Sequence, residues 1–321
     1  MGPPEGGPNA RLGDFSAIFD VPGSVYNRVQ MSIAQSAQNR NAPLTVADNG
    51  VGFLAVSAWS GFDWLWHGFS THRAGVSRAY LSQAQDLAHN AGQLNLGFTV
   101  ADTAENVGEN RQRWVEAVSG NRATSLRTVR QIHSNRSVVT PRDWAGIEGG
   151  SVPEADGIMT NERGFLIGVQ TADCIPVLVA DPERHAVAAF HAGWRGTVAR
   201  IVELGVAKMR AEFGSEPADL VAAIGPGIGG CCYTVGSEVM EKFSADFSCC
   251  DELFRVAGDG LSPGLRLDLT EANRRQLMAA GIPASSIAVV GGCTACQPEL
   301  FYSHRASGGH AGRMMAVIGV R

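Results

Sequence analysis

The stretch from Gln170 to Gly196 constrains this chain more than any other. Two apolar runs of strand length flank a short turn at Asp181-Pro182; the first begins at Cys174 and the second ends at His191. The pattern reads as a β-hairpin, which returns the end of its second strand beside the start of its first. Cys174 and His191 are therefore expected to meet. A thiol and an imidazole at one end of a hairpin can be a nucleophile with its base, or two ligands of one metal. A buried cysteine beside a core histidine is the plainer alternative, but Asp173, Trp194 and Arg195 are unusually polar company for simple core.

His133 is the third candidate. It precedes Cys174 by 41 residues (174 − 133) and follows a predicted strand at Leu126 to Val129, in the run Gln131-Ile-His133-Ser-Asn135. Two histidines and a cysteinate would form a three-ligand zinc site with its fourth position open, as catalytic zinc requires. The spacing alone also leaves room for the nucleophile reading. Asp173, directly before Cys174, is a candidate acid–base group, or a residue that orients its neighbours. Arg73, Arg195, Arg305 and Arg313 sit in Gly-rich loops, where a cation can approach an anionic ligand.

The other cysteines suggest less. Cys293-Thr-Ala-Cys296 has zinc-ribbon spacing but no second such pair, so it is expected to be structural and metal-free. The adjacent pairs Cys231-Cys232 and Cys249-Cys250 are expected to be small core or loop residues. Seven cysteines, an odd number, fit free thiols or metal ligands better than a disulfide framework. The loop Gly225-Pro-Gly-Ile-Gly-Gly230 lacks the Lys-Ser/Thr ending of a phosphate loop and reads as a tight structural turn.

Composition sets outer limits. The chain has 321 residues, 45% hydrophobic and 18% charged, with a formal net charge of −5. That balance argues against a nucleic-acid or acidic-membrane partner. No apolar run of spanning length occurs, and the first residues lack the basic and apolar segments of a signal peptide. Gly6 also breaks the myristoylation pattern. A cytoplasmic setting is the expectation.

Residues 1–50, rich in Pro, Gly, Asn, Gln and Ser, read as a dispensable flexible extension, and residues 51–321 as one domain. Strands are expected at Val51 to Ala58, Phe62 to Phe69, near Ile158, at Phe165 to Val169, Leu220 to Ile224, Ser286 to Val290 and Arg313 to Val320. Asp102 with Glu105, and Asp268 with Glu271, have the spacing of capping boxes, and Thr197 is expected to cap a third helix. The irregular alternation defines a mixed α/β, or α+β, domain.

Several short motifs occur in a telling order. Gln131-Ile-His133, Thr171-Ala-Asp-Cys174, His191-Ala-Gly-Trp-Arg-Gly196, Ile224-Gly-Pro-Gly-Ile-Gly229 and Gly312-Arg-Met314 together resemble the YfiH-like laccase-domain family. Leu94-Asn-Leu-Gly97, Leu267-Asp-Leu269 and Phe301-Tyr-Ser303 fit as well. The family has also been called multicopper polyphenol oxidase, purine nucleoside phosphorylase and peptidoglycan editing factor. The resemblance implies a single domain layered helix, sheet, sheet, helix, with zinc held by His133, Cys174 and His191, copper being the alternative metal. It implies phosphorolysis of adenosine, inosine and methylthioadenosine, with adenosine deamination at the same site. The partners would be purine nucleosides and phosphate. Catalysis would then fall to His133, Cys174, His191 and Asp173, and substrate binding to Arg73, Asn95 and Arg195. Editing of cell-wall precursors and copper-dependent phenol oxidation are the rival activities that the family names allow. One departure is plain: the family loop carries Arg, one residue, then Gly-Gly-Val-Ser, whereas here Arg73 is followed by Ala74 and a single Gly75. Either a residue is missing or His72 takes the Arg position.

Overall fold

The computed structural model describes residues 43–81, 92–140, 152–257 and 264–321. Most of the N-terminal extension lies outside the described residues.

Two six-stranded sheets dominate. In spatial order the first holds Leu44–Val46, Gly52–Leu54, Leu65–Ser70, Met314–Val320, Phe165–Thr171 and Ser125–Thr128. The second holds Ile287–Val289, Val221–Ile224, Ile175–Asp181, Ala186–Ala192, Gly157–Thr160 and Ser137–Val139. A small third sheet holds Thr234–Val235, Gly264–Leu267 and Phe254–Ala257.

The central strands are buried on both faces, which explains their continuous apolar runs. Their alternation is nonetheless strict. Along Ile175–Asp181 and Ala186–Ala192, residues Leu178, Ala180, Val187 and Ala189 point into the space between the sheets, where they meet Ile167, Val169, Ala316 and Ile318. The intervening Val177, Val179, Ala188 and Phe190 point outward, under the helices Ile201–Phe213 and Leu269–Ala279. On the far side Leu166, Met315 and Val317 pack with Trp114 and Val115 of the helix Ala104–Ser119. The period of two thus delivers alternate side chains of one strand to different layers. The result is helix, sheet, sheet, helix, the layering that the family resemblance implied.

Local departures have simple causes. The first expected strand is cut short at Leu54 by a single 3-10 turn at Ser57–Trp59. The helix expected from Asp102 begins one residue later: Thr103 is its cap, accepting from the Asn106 N–H (3.2 Å), while Asp102 accepts from Asn95 and Ser77 instead. Asp268 does cap its helix, accepting from the Glu271 N–H at 2.9 Å. Thr197 is not a cap. It lies inside a short helix, Trp194–Val198, whose N-cap is Gly193, and the longer helix starts after a left-handed Arg200. Leu44–Val46, within the expected extension, pairs antiparallel with Gly52–Leu54.

Candidate metal centre

The hairpin forms as expected, with Ile175 opposite Ala192 and Pro176 opposite His191. Cys174 is therefore the diagonal neighbour of His191 at the open end of the hairpin. His133 arrives from the other sheet. The chain leaving Ser125–Thr128 runs beside residues 153–155, where Arg130 N–H donates to Pro153 O (2.9 Å) and Ala155 N–H to Arg130 O (3.1 Å). That pairing slides the turn Ile132-His133-Ser134 over the carboxylate of Asp156.

Asp156 is fully buried and binds the site together. Its Oδ1 accepts from the His133 N–H (3.0 Å), and its Oδ2 from the N–H groups of Ile132 (3.2 Å) and Ser134 (2.6 Å) and the Ser134 hydroxyl (2.8 Å). Oδ1 also accepts from His191 Nδ1 at 2.8 Å. Burial alone would raise this carboxyl, but the hydrogen bonds from His191 and Ser134 prevail and hold it down to about 2. An ionised carboxylate only accepts, so Nδ1 of His191 must carry a proton, which leaves Nε2 as the nitrogen able to bind a metal once it is deprotonated. His133 takes a left-handed backbone, φ 59°, that the three N–H bonds to Asp156 stabilise.

One ligand atom from each of His133, Cys174 and His191 lies within 4.8 Å of the others. Cys174 Sγ stands 3.9 Å from His133 Nε2. Ordinary zinc–sulfur and zinc–nitrogen bonds put tetrahedral ligands about 3.6 Å apart, so the Cys174–His133 pair needs only a few tenths of an ångström of adjustment. Gly193 keeps the space open, because a Cβ there would come within 2.9 Å of Cys174 Sγ and 3.2 Å of His133 Cδ2. The donors present therefore fit a single zinc with one position left for water or substrate. Gly193→Ala is expected to weaken metal binding by about tenfold or more, as loss of a supporting group does; a zinc titration matching the native protein would contradict that role for Gly193.

Charge couples the same atoms. Burial pushes the Cys174 thiol up, but the positive charge of His191 and hydrogen bonds from both histidines bring it down to about 6. Burial likewise disfavours a charged His191, yet the Cys174 thiolate and the Asp156 carboxylate raise it to about 9. The metal-free site thus holds a thiolate–imidazolium pair at neutral pH, and a metal must displace the His191 proton. Alkylation of Cys174 in metal-stripped protein is expected to rise with pH through a midpoint near 6, because the thiolate is the reactive form. Bound metal should suppress it. A midpoint near the ordinary thiol value would show that the pairing is absent.

The remaining sequence candidates divide. Asp173, also left-handed at φ 88°, accepts from the Thr294 hydroxyl (2.6 Å) and the Arg305 N–H (2.7 Å), while its carbonyl accepts from Ile228 N–H (2.8 Å). Its carboxylate therefore ties three loops together beside Cys174. Arg195 is exposed, with its guanidinium 4.5 Å over the Trp194 ring. Asn95, expected to bind substrate, lies in the interior. It is fully buried, its Nδ2 donates to Gly97 O and Asp102, and its Oδ1 accepts from the N–H groups of Gly97 and Arg313. Every polar atom of its side chain is used within the protein. Arg73 is exposed and donates to Glu299 O at 2.8 Å, whereas His72 is buried with Nε2 at 2.9 Å from Pro298 O, so His72 presents no cation in place of an arginine.

Sequence reasoning missed Asp156, a lone acid before a strand with no motif around it. It also missed Tyr233, whose hydroxyl is pushed up to about 12 by burial and by the Cys174 charge, against the opposing charges of Arg305 and Arg195. Arg305 carries its guanidinium 5.1 Å from the Tyr233 ring centre and donates to Thr234 O at 2.6 Å.

The chain is thus a mixed α/β domain built on two six-stranded sheets with a histidine–cysteine–histidine trio, a candidate metal site, at the mouth of a hairpin. The chain belongs to the family described as multi-copper polyphenol oxidoreductase laccase, whose model matches residues 66–321. It is 36% identical over 258 residues to purine nucleoside phosphorylase YlmD of Bacillus subtilis, covering 79% of this chain and 88% of that protein. It is 37% identical over 194 residues to adenosine deaminase RL5 from an unknown prokaryotic organism, covering 59% of this chain and 72% of that one. Among solved structures, YlmD from Geobacillus stearothermophilus superposes with a TM-score of 0.73 at 31% identity, over 87% of this chain and 98% of that chain. Among the described residues no helix is long and apolar enough to cross a membrane.

Proposed function

We propose that this chain is a purine nucleoside phosphorylase that also deaminates adenosine, using zinc held by His133, Cys174 and His191. The observation that carries the reading is the convergence of these three donors around a space that Gly193 keeps open. The substrate class is supported by the relatives, which are named as purine nucleoside phosphorylases and an adenosine deaminase.

When bound there, zinc supplies Lewis-acid polarisation and a lowered pKa for a coordinated water. The chain's own residues do the rest. Asp156 fixes the His191 tautomer and the turn that carries His133. Asp173 is a positioning residue, since both carboxylate oxygens are engaged by Thr294 and Arg305. Arg195 and Arg305 offer guanidinium groups suited to a phosphate nucleophile or the anion it forms. The His2Cys donor set also suits copper. Polyphenol oxidation by several coppers would need more than one histidine-bearing centre, and the described residues supply one.

The test is an assay of purified protein with adenosine and inosine, with and without phosphate. Free base should appear only with phosphate, and inosine should form from adenosine without it. Absence of both products, with turnover of a cell-wall precursor or a phenol instead, would replace this reading with one of the rivals.

A further inference from the structure

Four cysteines that appear unrelated in the sequence converge in the fold. One ligand atom from each of Cys231, Cys232, Cys293 and Cys296 lies within 4.8 Å of the others. Cys296 Sγ is 3.5 Å from Cys231 Sγ and 3.3 Å from Cys232 Sγ. The adjacent pair and the CxxC pair, separated by more than sixty residues, thus form one cluster.

We propose that these four thiolates hold a second, structural zinc ion. With zinc–sulfur bonds of about 2.3 Å, the sulfurs of a tetrahedral site lie about 3.8 Å apart, a few tenths of an ångström beyond the two contacts of Cys296 and inside the 4.8 Å that encloses all four sulfurs. Four sulfurs leave no open position, which is the mark of structural rather than catalytic zinc. An iron–sulfur cluster would interpose its own atoms and spread the ligands further.

The backbone is arranged for such an ion. Two turns face each other, one closed by Cys232 N–H to Gly229 O (2.9 Å) and the other by Cys296 N–H to Cys293 O (3.2 Å). The Gly229 N–H donates to Cys293 Sγ at 3.2 Å, an interaction that favours the thiolate. A Cβ on Gly229 would lie 3.2 Å from Cys231 Sγ and 3.2 Å from Cys293 Cβ, so glycine keeps the two turns close. The adjacent cysteines Cys231 and Cys232 can share one ion because they sit in a turn. In a strand their side chains would point to opposite faces. All four thiols are free and none is fully buried, so an ion can enter.

A disulfide is the main competitor. Cys296 could pair with either Cys231 or Cys232, but that would leave two sulfurs packed beside the bridge without a role. The position also gives the ion a purpose. The turns follow the parallel neighbours Val221–Ile224 and Ile287–Val289, and Thr294, between Cys293 and Cys296, donates its hydroxyl to Asp173. An ion joining the turns would hold that threonine in place beside the first metal centre.

The experiment is elemental analysis of the full-length protein purified under reducing conditions from zinc-supplemented cells. About two zinc ions per chain are expected in the native protein. About one should remain in the Cys293→Ser/Cys296→Ser variant, and that ion should be the one lost on His133→Ala. Because the cysteine variant could fail to fold, native protein is also loaded with cobalt and examined for the absorption of a tetrathiolate site. Protection of all four thiols from alkylation until a chelator is added is the third readout. One zinc per chain with these thiols freely alkylated would overturn the proposal. So would a mass two hydrogens lower, showing a disulfide among them, or two zinc ions retained in the double variant.

Discussion

Replacing Asp156 with asparagine is expected to weaken metal binding by about 10- to 100-fold, the usual cost of removing a carboxylate behind a metal-bound histidine. It should also destabilise the fold by about 3–5 kcal/mol, the range for breaking a buried charged pair. Asp156 accepts from three backbone N–H groups, a hydroxyl and His191. An asparagine carries one acceptor oxygen, and its amide would face N–H donors already pointing inward. Those donors would lose partners around a side chain that is itself fully buried. The turn that holds His133 left-handed would then relax, and His191 would lose the bond that selects its tautomer. Thermal melting with zinc titration checks both effects. A variant that melts and binds zinc like the native protein would remove Asp156 from the site's architecture. The native contribution has a defined acid limit. Because the folded carboxyl is held down to about 2, its stabilisation is present above the ordinary carboxylate range and disappears as pH falls through that value.

The hairpin could be read directly from the sequence because two apolar runs and an Asp-Pro turn specify register locally. Cys174 and His191 follow from that register without further information. His133 was visible as a candidate but not as a neighbour, since its approach depends on pairing between residues 130 and 153–155 in a separate part of the chain. Asp156 carried no signal at all. A single acid before a strand becomes the hub of a site only when a turn from elsewhere lays its N–H groups over it. The four-cysteine cluster escaped for the same reason, and the expectation of a metal-free CxxC assumed that ligands must be near in sequence. The surroundings of Asn95 were hidden for a different reason. Its motif is real, but the loop it closes consumes every hydrogen bond the side chain can make. Secondary structure at strand centres was legible, whereas boundaries shifted wherever a side chain such as Thr103 competed for the cap.

The second large effect is at the ligands themselves. Alanine at His133, Cys174 or His191 removes a donor that water cannot replace without weakening the site. On the proposed zinc reading, loss of the ion should remove several kcal/mol of transition-state stabilisation, which at about 1.4 kcal/mol per tenfold is about a thousandfold or more in rate. Phosphorolysis and deamination should fall together, because both are assigned to one centre. If Cys174 were instead a covalent nucleophile with His191 as its base, alkylation would abolish activity while chelators did little. The most direct measurement is zinc content per chain beside both reaction rates in His133→Ala, Cys174→Ala and His191→Ala. Each variant should lose one ion relative to the native protein and lose both activities with it. A Cys174→Ala protein that keeps its full zinc content yet has no activity would contradict the ligand assignment and restore the cysteine nucleophile.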